Sequence, residues 1–180
     1  MNNKTYKMTI AGCERELPLC PINKTLDIAA FIMFGDVELT EKVSAELLKK
    51  CPEHDIVVTA EAKGIPLCYE MARQGCRKYI VARKSIKLYM DEPVSVVVKS
   101  ITTENTQTLY LSKDKCELMK GKRVLIVDDV ISTGESLLAL EELVQKAGGN
   151  IVGKAAVLAE GDASKRHDII FLEPLPIFPK

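Results

Sequence analysis

The chain has 180 residues, 47% of them hydrophobic and 28% charged, which suits one soluble domain with a sizeable core. Lys+Arg and Asp+Glu balance at 25 each, so bulk charge points to no nucleic acid and no membrane as partner, although a local basic cluster can still hold a small anion. The N-terminus shows no apolar signal region, the longest apolar run (28–34) is too short for a bilayer, and six scattered cysteines without a C-x-x-C pair fit a reducing cytoplasm better than a zinc site.

In chain order, residues 6–10 and 15–19 alternate weakly around Ala11-Gly12, as a hairpin does. Over 37–51 the apolar positions Leu39, Val43 and Leu47 share one helical face, Asp36 is available as N-cap, and Pro52 stops the helix. Residues 55–59 form a short apolar run typical of a buried parallel strand. A tight loop, Glu61-Ala62-Lys63-Gly64, leads into a helix with Pro66 near its start that runs to about Gln74. Strands are expected at 78–82 and, as a pair joined by a turn at 102–105, at 93–100 and 106–112. A strand at 123–127, a helix at 136–147 closed by Gly148-Gly149, and a strand at 151–159 complete the pattern. Strands alternating with helices predict an α/β fold with a mainly parallel sheet, whose ligands sit at the C-terminal strand ends. The loops 60–64 and 128–136 both lie at such ends.

The stretch Val124-Leu-Ile-Val-Asp-Asp-Val-Ile-Ser-Thr-Gly-Glu-Ser136 carries the chemistry. Two adjacent carboxylates at the end of a buried strand repel each other and are costly without a ligand. Thr133 and Gly134 stand where a helix begins, so backbone N–H groups are offered to an anion, with hydroxyls from Thr133 and Ser136 beside them. Gly134 permits close approach or positive φ. A ligand suited to both halves has a phosphate together with vicinal hydroxyls or a bound cation, as ribose 5-phosphate does. Two other readings fail. A receiver domain opening on these acids needs roughly 110 further residues, and only 51 follow Asp129. The run Gly148 to Lys154 spells G-x-x-x-x-G-K, but it follows a helix, opens a strand and is succeeded by Ala155.

The 124–136 stretch resembles the phosphoribosyl-diphosphate (PRPP) signature of type I phosphoribosyltransferases. Glu61-Ala62-Lys63-Gly64 is similar to the E-A-R-G loop of the adenine phosphoribosyltransferases, and Arg83-Lys84-Ser-Ile-Lys87-Leu88 to their R-K-x-x-K-L segment. The resemblance spans about residues 55–160. It implies the type I fold, with a small N-terminal hood over residues 1–36, a transferase core over 37–180 and a flexible β-hairpin. It also implies transfer of 5-phosphoribosyl from PRPP to a purine base, with Mg2+ as cofactor. By the same resemblance, Asp128 and Asp129 contact the ribose hydroxyls directly or through Mg2+. Ser132, Thr133, Gly134, Glu135 and Ser136 hold the 5-phosphate. Glu61, Ala62, Lys63 and Gly64, with Arg83, Lys84 and Lys87, serve the pyrophosphate, whose leaving charge calls for cations. Glu104 falls close to a loop glutamate that assists proton transfer at the base in the adenine enzymes. Phe31 or Phe34, in the 28–34 run, would stack on the base. A homodimer is the family's habit.

The form of the motif bears on the branch. Hypoxanthine-guanine and orotate enzymes resemble Glu-Asp at the paired acids, and the former carry a further Asp before Thr-Gly. Asp128-Asp129 with Ser132 argues against that 6-oxopurine branch and places adenine first, with xanthine as an alternative. Residues 1–36 do not match the Pro-rich hood of the adenine enzymes. An alternative of another class is a non-catalytic PRPP sensor, as in a repressor's effector domain; the hairpin patterning of the first 36 residues leaves no helix-turn-helix there, and Arg83-Lys84-x-x-Lys87 favours catalysis.

Overall fold

A computed structural model describes residues 4–99 and 106–180, the side chains of 98, 99 and 107 apart. The parallel strands are β4 (Ile56–Ala60), β5 (Tyr79–Ala82), β8 (Arg123–Ile131), β9 (Asn150–Glu160) and β10 (Ile170–Leu175). They form one five-stranded sheet in the order β10-β9-β8-β4-β5, with every pairing parallel. Among the described residues four α-helices accompany it: α1 (Val37–Lys50), α2 (Ile65–Gln74), α3 (Lys113–Met119) and α4 (Glu135–Lys146).

Strand alternation divides the core between the two faces of this sheet. On β8, Val124 and Ile126 join one buried cluster with Leu137, Leu140 and Leu143 of α4. Leu125 and Val127 join the other, with Leu39, Val43 and Leu47 of α1 and Leu67 and Met71 of α2. A strand buried on both faces needs a continuous apolar run, which is what 124–127 supplies.

A second, antiparallel sheet sits on the α1/α2 side. It contains β1 (Thr5–Ile10), β2 (Cys13–Pro21), β3 (Leu26–Ala29) and β11 (Ile177–Pro179), in the order β1-β2-β3-β11. β6 (Val94–Lys99) and β7 (Thr106–Leu111) pair antiparallel as a ribbon that packs on α4 and joins the main sheet through an Arg83–Tyr110 bridge.

The expected hairpin at 6–19 is present, as are the helices at 37–50 and 65–74 and the strands at 56–60 and 79–82. Asp36 caps α1, its carboxylate accepting from Leu39 N at 3.1 Å. The 123–127 strand runs on to Ile131, because Asp128 through Ile131 keep pairing with Ala156 through Ala159 of β9. Besides a 3-10 turn at Gly161–Lys165, four further described elements lie where no element was expected. β3, β10 and β11 are short or interrupted by Pro174 and Pro179, and α3 is seven residues of mostly polar sequence; none shows enough periods to stand out before its partner is known. No described helix is long and apolar enough to cross a membrane, and all six cysteines are free.

Candidate functional site

The rim is built by register. Val58 pairs with Ile126, so Ala60 and Asp128, each two residues on, reach the same height; Ala60 also pairs with Ala82. Three strand ends thus deliver the loop 61–64, the segment from Arg83 and the two acids to one place. A cavity of about 320 Å³ opens there, lined by Glu61, Ala62, Lys63, Lys84, Asp128, Asp129 and Ser136 among others. It adjoins a smaller hollow formed by residues 130–137, sharing Asp128, Val130 and Ser136 with it.

Asp129 is 3% exposed. Its Oδ2 is fully buried and has no hydrogen-bond partner among the described residues, although Lys63 Nζ lies 3.1 Å away. That contact is a charge pair without hydrogen-bond alignment. Asp128 Oδ1 accepts from the Asp129 amide at 2.9 Å. Burial is the main force pushing the Asp128 carboxyl up to about 8, reinforced by the charge of Asp129 and opposed by that amide and by Lys63. The buried Asp129 Oδ2 thus lacks a hydrogen-bond donor among the described residues. A bound cation, or hydroxyl donors, would satisfy it.

The loop 61–64 is held by its own glutamate. Glu61 Oε2 accepts from the Lys84 amide at 2.9 Å and from Arg83 Nε at 3.1 Å. The Lys84 amide chiefly, with Arg83, holds the Glu61 carboxyl below its usual range. Glu61 therefore ties the loop to β5's exit, while Lys63 and Lys84 line the cavity. The Glu61–Ala62 peptide is cis. Gly64 cannot carry a side chain here: a Cβ would overlap the Thr59 hydroxyl and lie 3.2 Å from Asp128 Oδ1. Lys87 is outside the cavity lining, and its ammonium donates to Ser85 Oγ at 2.7 Å.

In the 132–136 loop, Ser132 and Thr133 are exposed and Gly134 is buried. Gly134 caps α4 with φ +83°, a conformation that favours glycine. The first amides of α4 are thereby turned toward the hollow, where an anion is favoured. Phe31 is 3% exposed and packs in the α1/α2 core, so its ring is already covered; Phe34, 53% exposed, is the one with a free face. Glu104 lies outside the described residues. A separate groove of about 390 Å³ between α1 and α2 is mostly apolar, and its charged groups Asp36, Glu41, Glu70 and Arg73 are engaged in ion pairs.

Sequence reasoning passed over three residues. Thr59 is a buried polar group on β4, indistinguishable by pattern from its apolar neighbours. Glu160 ends β9 with its carboxyl pushed up by burial and pulled back by Lys63. Arg166 sits in a charged run that reads as solvated surface.

The family model for the phosphoribosyl transferase domain matches residues 33–175. The chain belongs to this family. As a phosphoribosyltransferase it is a transferase, and its sheet, acids and loops are arranged as described above. It is 33% identical over 162 residues to a hypoxanthine/guanine phosphoribosyltransferase of Methanotorris igneus, covering 84% of each chain. It is 35% identical over 127 residues to an adenine phosphoribosyltransferase of Rhodococcus jostii, covering 70% of this chain and 69% of the relative. The adenine phosphoribosyltransferase structure from Thermoanaerobacter pseudethanolicus superposes with a TM-score of 0.74 at 23% identity, over 88% of this chain and 95% of that one. That likeness is one of fold. Relatives of both names match, so these likenesses do not resolve adenine from hypoxanthine or guanine as the base.

Proposed function

We propose that this phosphoribosyltransferase moves 5-phosphoribosyl from PRPP to a purine base, adenine first, in purine salvage. The base nitrogen attacks C1 of the ribose, the bond from C1 to the pyrophosphate oxygen breaks with inversion, and the products are the nucleoside monophosphate and pyrophosphate. The observation that carries this reading is the buried Asp129 Oδ2, paired in charge with Lys63 but without a hydrogen bond among the described residues, beside Asp128 and next to the loop 132–136. Vicinal hydroxyls satisfy the acids, and a phosphate suits the α4 amides together with Ser132, Thr133 and Ser136.

Lys63 and Lys84 face the departing pyrophosphate, with Arg83 and Lys87 behind them. Mg2+ fits the hard oxygens of Asp128 and Asp129. No group of three metal-binding side chains occurs among the described residues, which suits an ion brought in with a phosphorylated substrate and held by one or two carboxylates. When bound it would neutralise charge on the pyrophosphate. In this reading residues 1–36 form the hood over the base, Phe34 offers a stacking face, Glu104 assists the base's proton, and residues 37–180 form the core. Exposed Ile86, Leu88 and Tyr89 beyond β5, with Tyr69 and Tyr79, supply apolar surface for a homodimer.

Adenine is ranked first on the motif form and the adenine relatives. The second reading is hypoxanthine or guanine, supported by the Methanotorris relative that matches 84% of this chain. The experiment is turnover with Mg2+ and PRPP against adenine, hypoxanthine, guanine and xanthine, following pyrophosphate release and mononucleotide. Adenine is expected to react fastest. A faster rate with an oxopurine replaces the base assignment, and PRPP binding with no turnover of any base sinks the catalytic reading.

A further inference from the structure

Arg166 follows a 3-10 turn at Gly161–Lys165, and its guanidinium lies against the loop 132–136. A Cβ added at Gly134 would stand 2.7 Å from Arg166 Nη1, closer than real Cβ contacts come. The guanidinium is fixed from behind. Nε donates to Asp168 Oδ1 at 2.9 Å and Nη2 to Asp168 Oδ2 at 2.7 Å. Lys154 Nζ donates to the same Oδ2 at 2.6 Å and to Glu141 Oε1 of α4 at 3.2 Å. The ion pairs therefore run from Arg166 through Asp168 and Lys154 back to α4, the helix that starts at this loop.

A solvated Arg–Asp pair on a surface contributes little and has no reason to be aimed. This one is aimed. The bidentate fork confines the guanidinium to the carboxylate plane. Nη1 is left with no hydrogen-bond acceptor among the described residues, and it is the atom nearest Gly134.

We propose that Arg166 is a positioning residue of the 5-phosphate site. It braces the loop at Gly134 and sets a fixed positive charge behind the α4 amides. The absence of a Cβ at Gly134 is what lets the guanidinium approach. Asp168 and Lys154 orient it. This rests on reading 132–136 as the phosphate cradle.

The test is calorimetric titration of the whole protein with ribose 5-phosphate and, separately, with magnesium pyrophosphate, which probes the opposite half of the site. Arg166→Gln is expected to weaken ribose 5-phosphate about 10-fold while leaving pyrophosphate within about twofold. Arg166→Lys, which keeps the charge but not the fork, should fall between Gln and wild type, and Asp168→Asn should shift ribose 5-phosphate alone, in the same direction. Wild-type ribose 5-phosphate affinity in Arg166→Gln, or equal losses for both ligands, overturns the proposal. If Arg166→Gln does not fold, Arg166→Lys and Asp168→Asn carry the same comparison. A wild-type protein that binds pyrophosphate but no ribose 5-phosphate removes the cradle reading itself, and this inference with it.

Discussion

Asp128 shows how a single side chain registers its buried, acidic surroundings. Burial and the neighbouring Asp129 push its carboxyl from an ordinary 3.8 up to about 8. Between those values the unfolded chain has released a proton that the folded chain keeps. The stability associated with this group is therefore complete below about pH 4 and is lost as pH rises through about 8. Asp128→Asn removes the group and its slope. Urea unfolding of the unliganded protein should show the variant gaining on wild type at pH 9 relative to pH 5. The same difference at both pH values would mean that Asp128 ionises normally. Activity should be lost in this variant if the acids hold the ribose as proposed. At this scale the motif was legible: Asp128, Asp129, Gly134 and the Glu61–Gly64 loop stand out by residue type alone. Their partners were not. Nothing in the sequence around Thr59 announces that its hydroxyl fills the space a Gly64 side chain would need. Nor does the Lys165-Arg-His-Asp168 run reveal that one of its charges lies against Gly134.

Among the elements, α1 is the most completely encoded. Its apolar face, its stop and its cap lie within the short stretch from Asp36 to Pro52, and the cap is used as expected. Tertiary structure adds that Arg15 of β2 reaches the same carboxylate, Nε to Oδ2 at 2.7 Å and Nη2 to Oδ1 at 3.0 Å. Asp36 thus caps the helix and ties it to the antiparallel sheet. Asp36→Ala should cost about 1–3 kcal/mol, a helix cap plus a partly buried ion pair. Asp36→Asn, which keeps the cap acceptor, should cost less; urea midpoints of the two variants check the order. Equal losses would assign the whole effect to Arg15. The elements that escaped notice share a physical cause. β3, β10 and β11 earn their pairing from residues far along the chain, as Phe178 does from Asp27. Their own sequences carry too few alternations, broken by proline, to declare a strand.

For the whole molecule, the first and last described strands share one sheet. β11 completes the sheet begun by β1–β3, and the Phe178 ring meets Tyr6 edge-on at 5.1 Å. Lys180 adds an ion pair to Asp27 at 2.9 Å, and its backbone N–H donates a hydrogen bond to the Thr25 carbonyl at 3.0 Å. Phe178→Ala should lower stability by about 1–3 kcal/mol, less than a fully buried Phe because its ring is only partly covered. Hydrogen exchange should quicken first in β1–β3, with the parallel sheet protected longer. Uniform acceleration would show that the antiparallel sheet and the core unfold as one.

The sequence by itself determined the parallel α/β pattern, the paired acids, the glycine at the helix start and the basic segment after β5. These are local properties, set by periodicity and by residue chemistry within a few positions. Only the tertiary structure decided that Asp129 Oδ2 is buried without a hydrogen bond, that Glu61 serves its own loop, that Phe31 belongs to the core, and that Arg166 faces Gly134. Each of these depends on which strands become neighbours and in what register. That choice is made by burying both faces of one sheet at once, and no short window of sequence contains it.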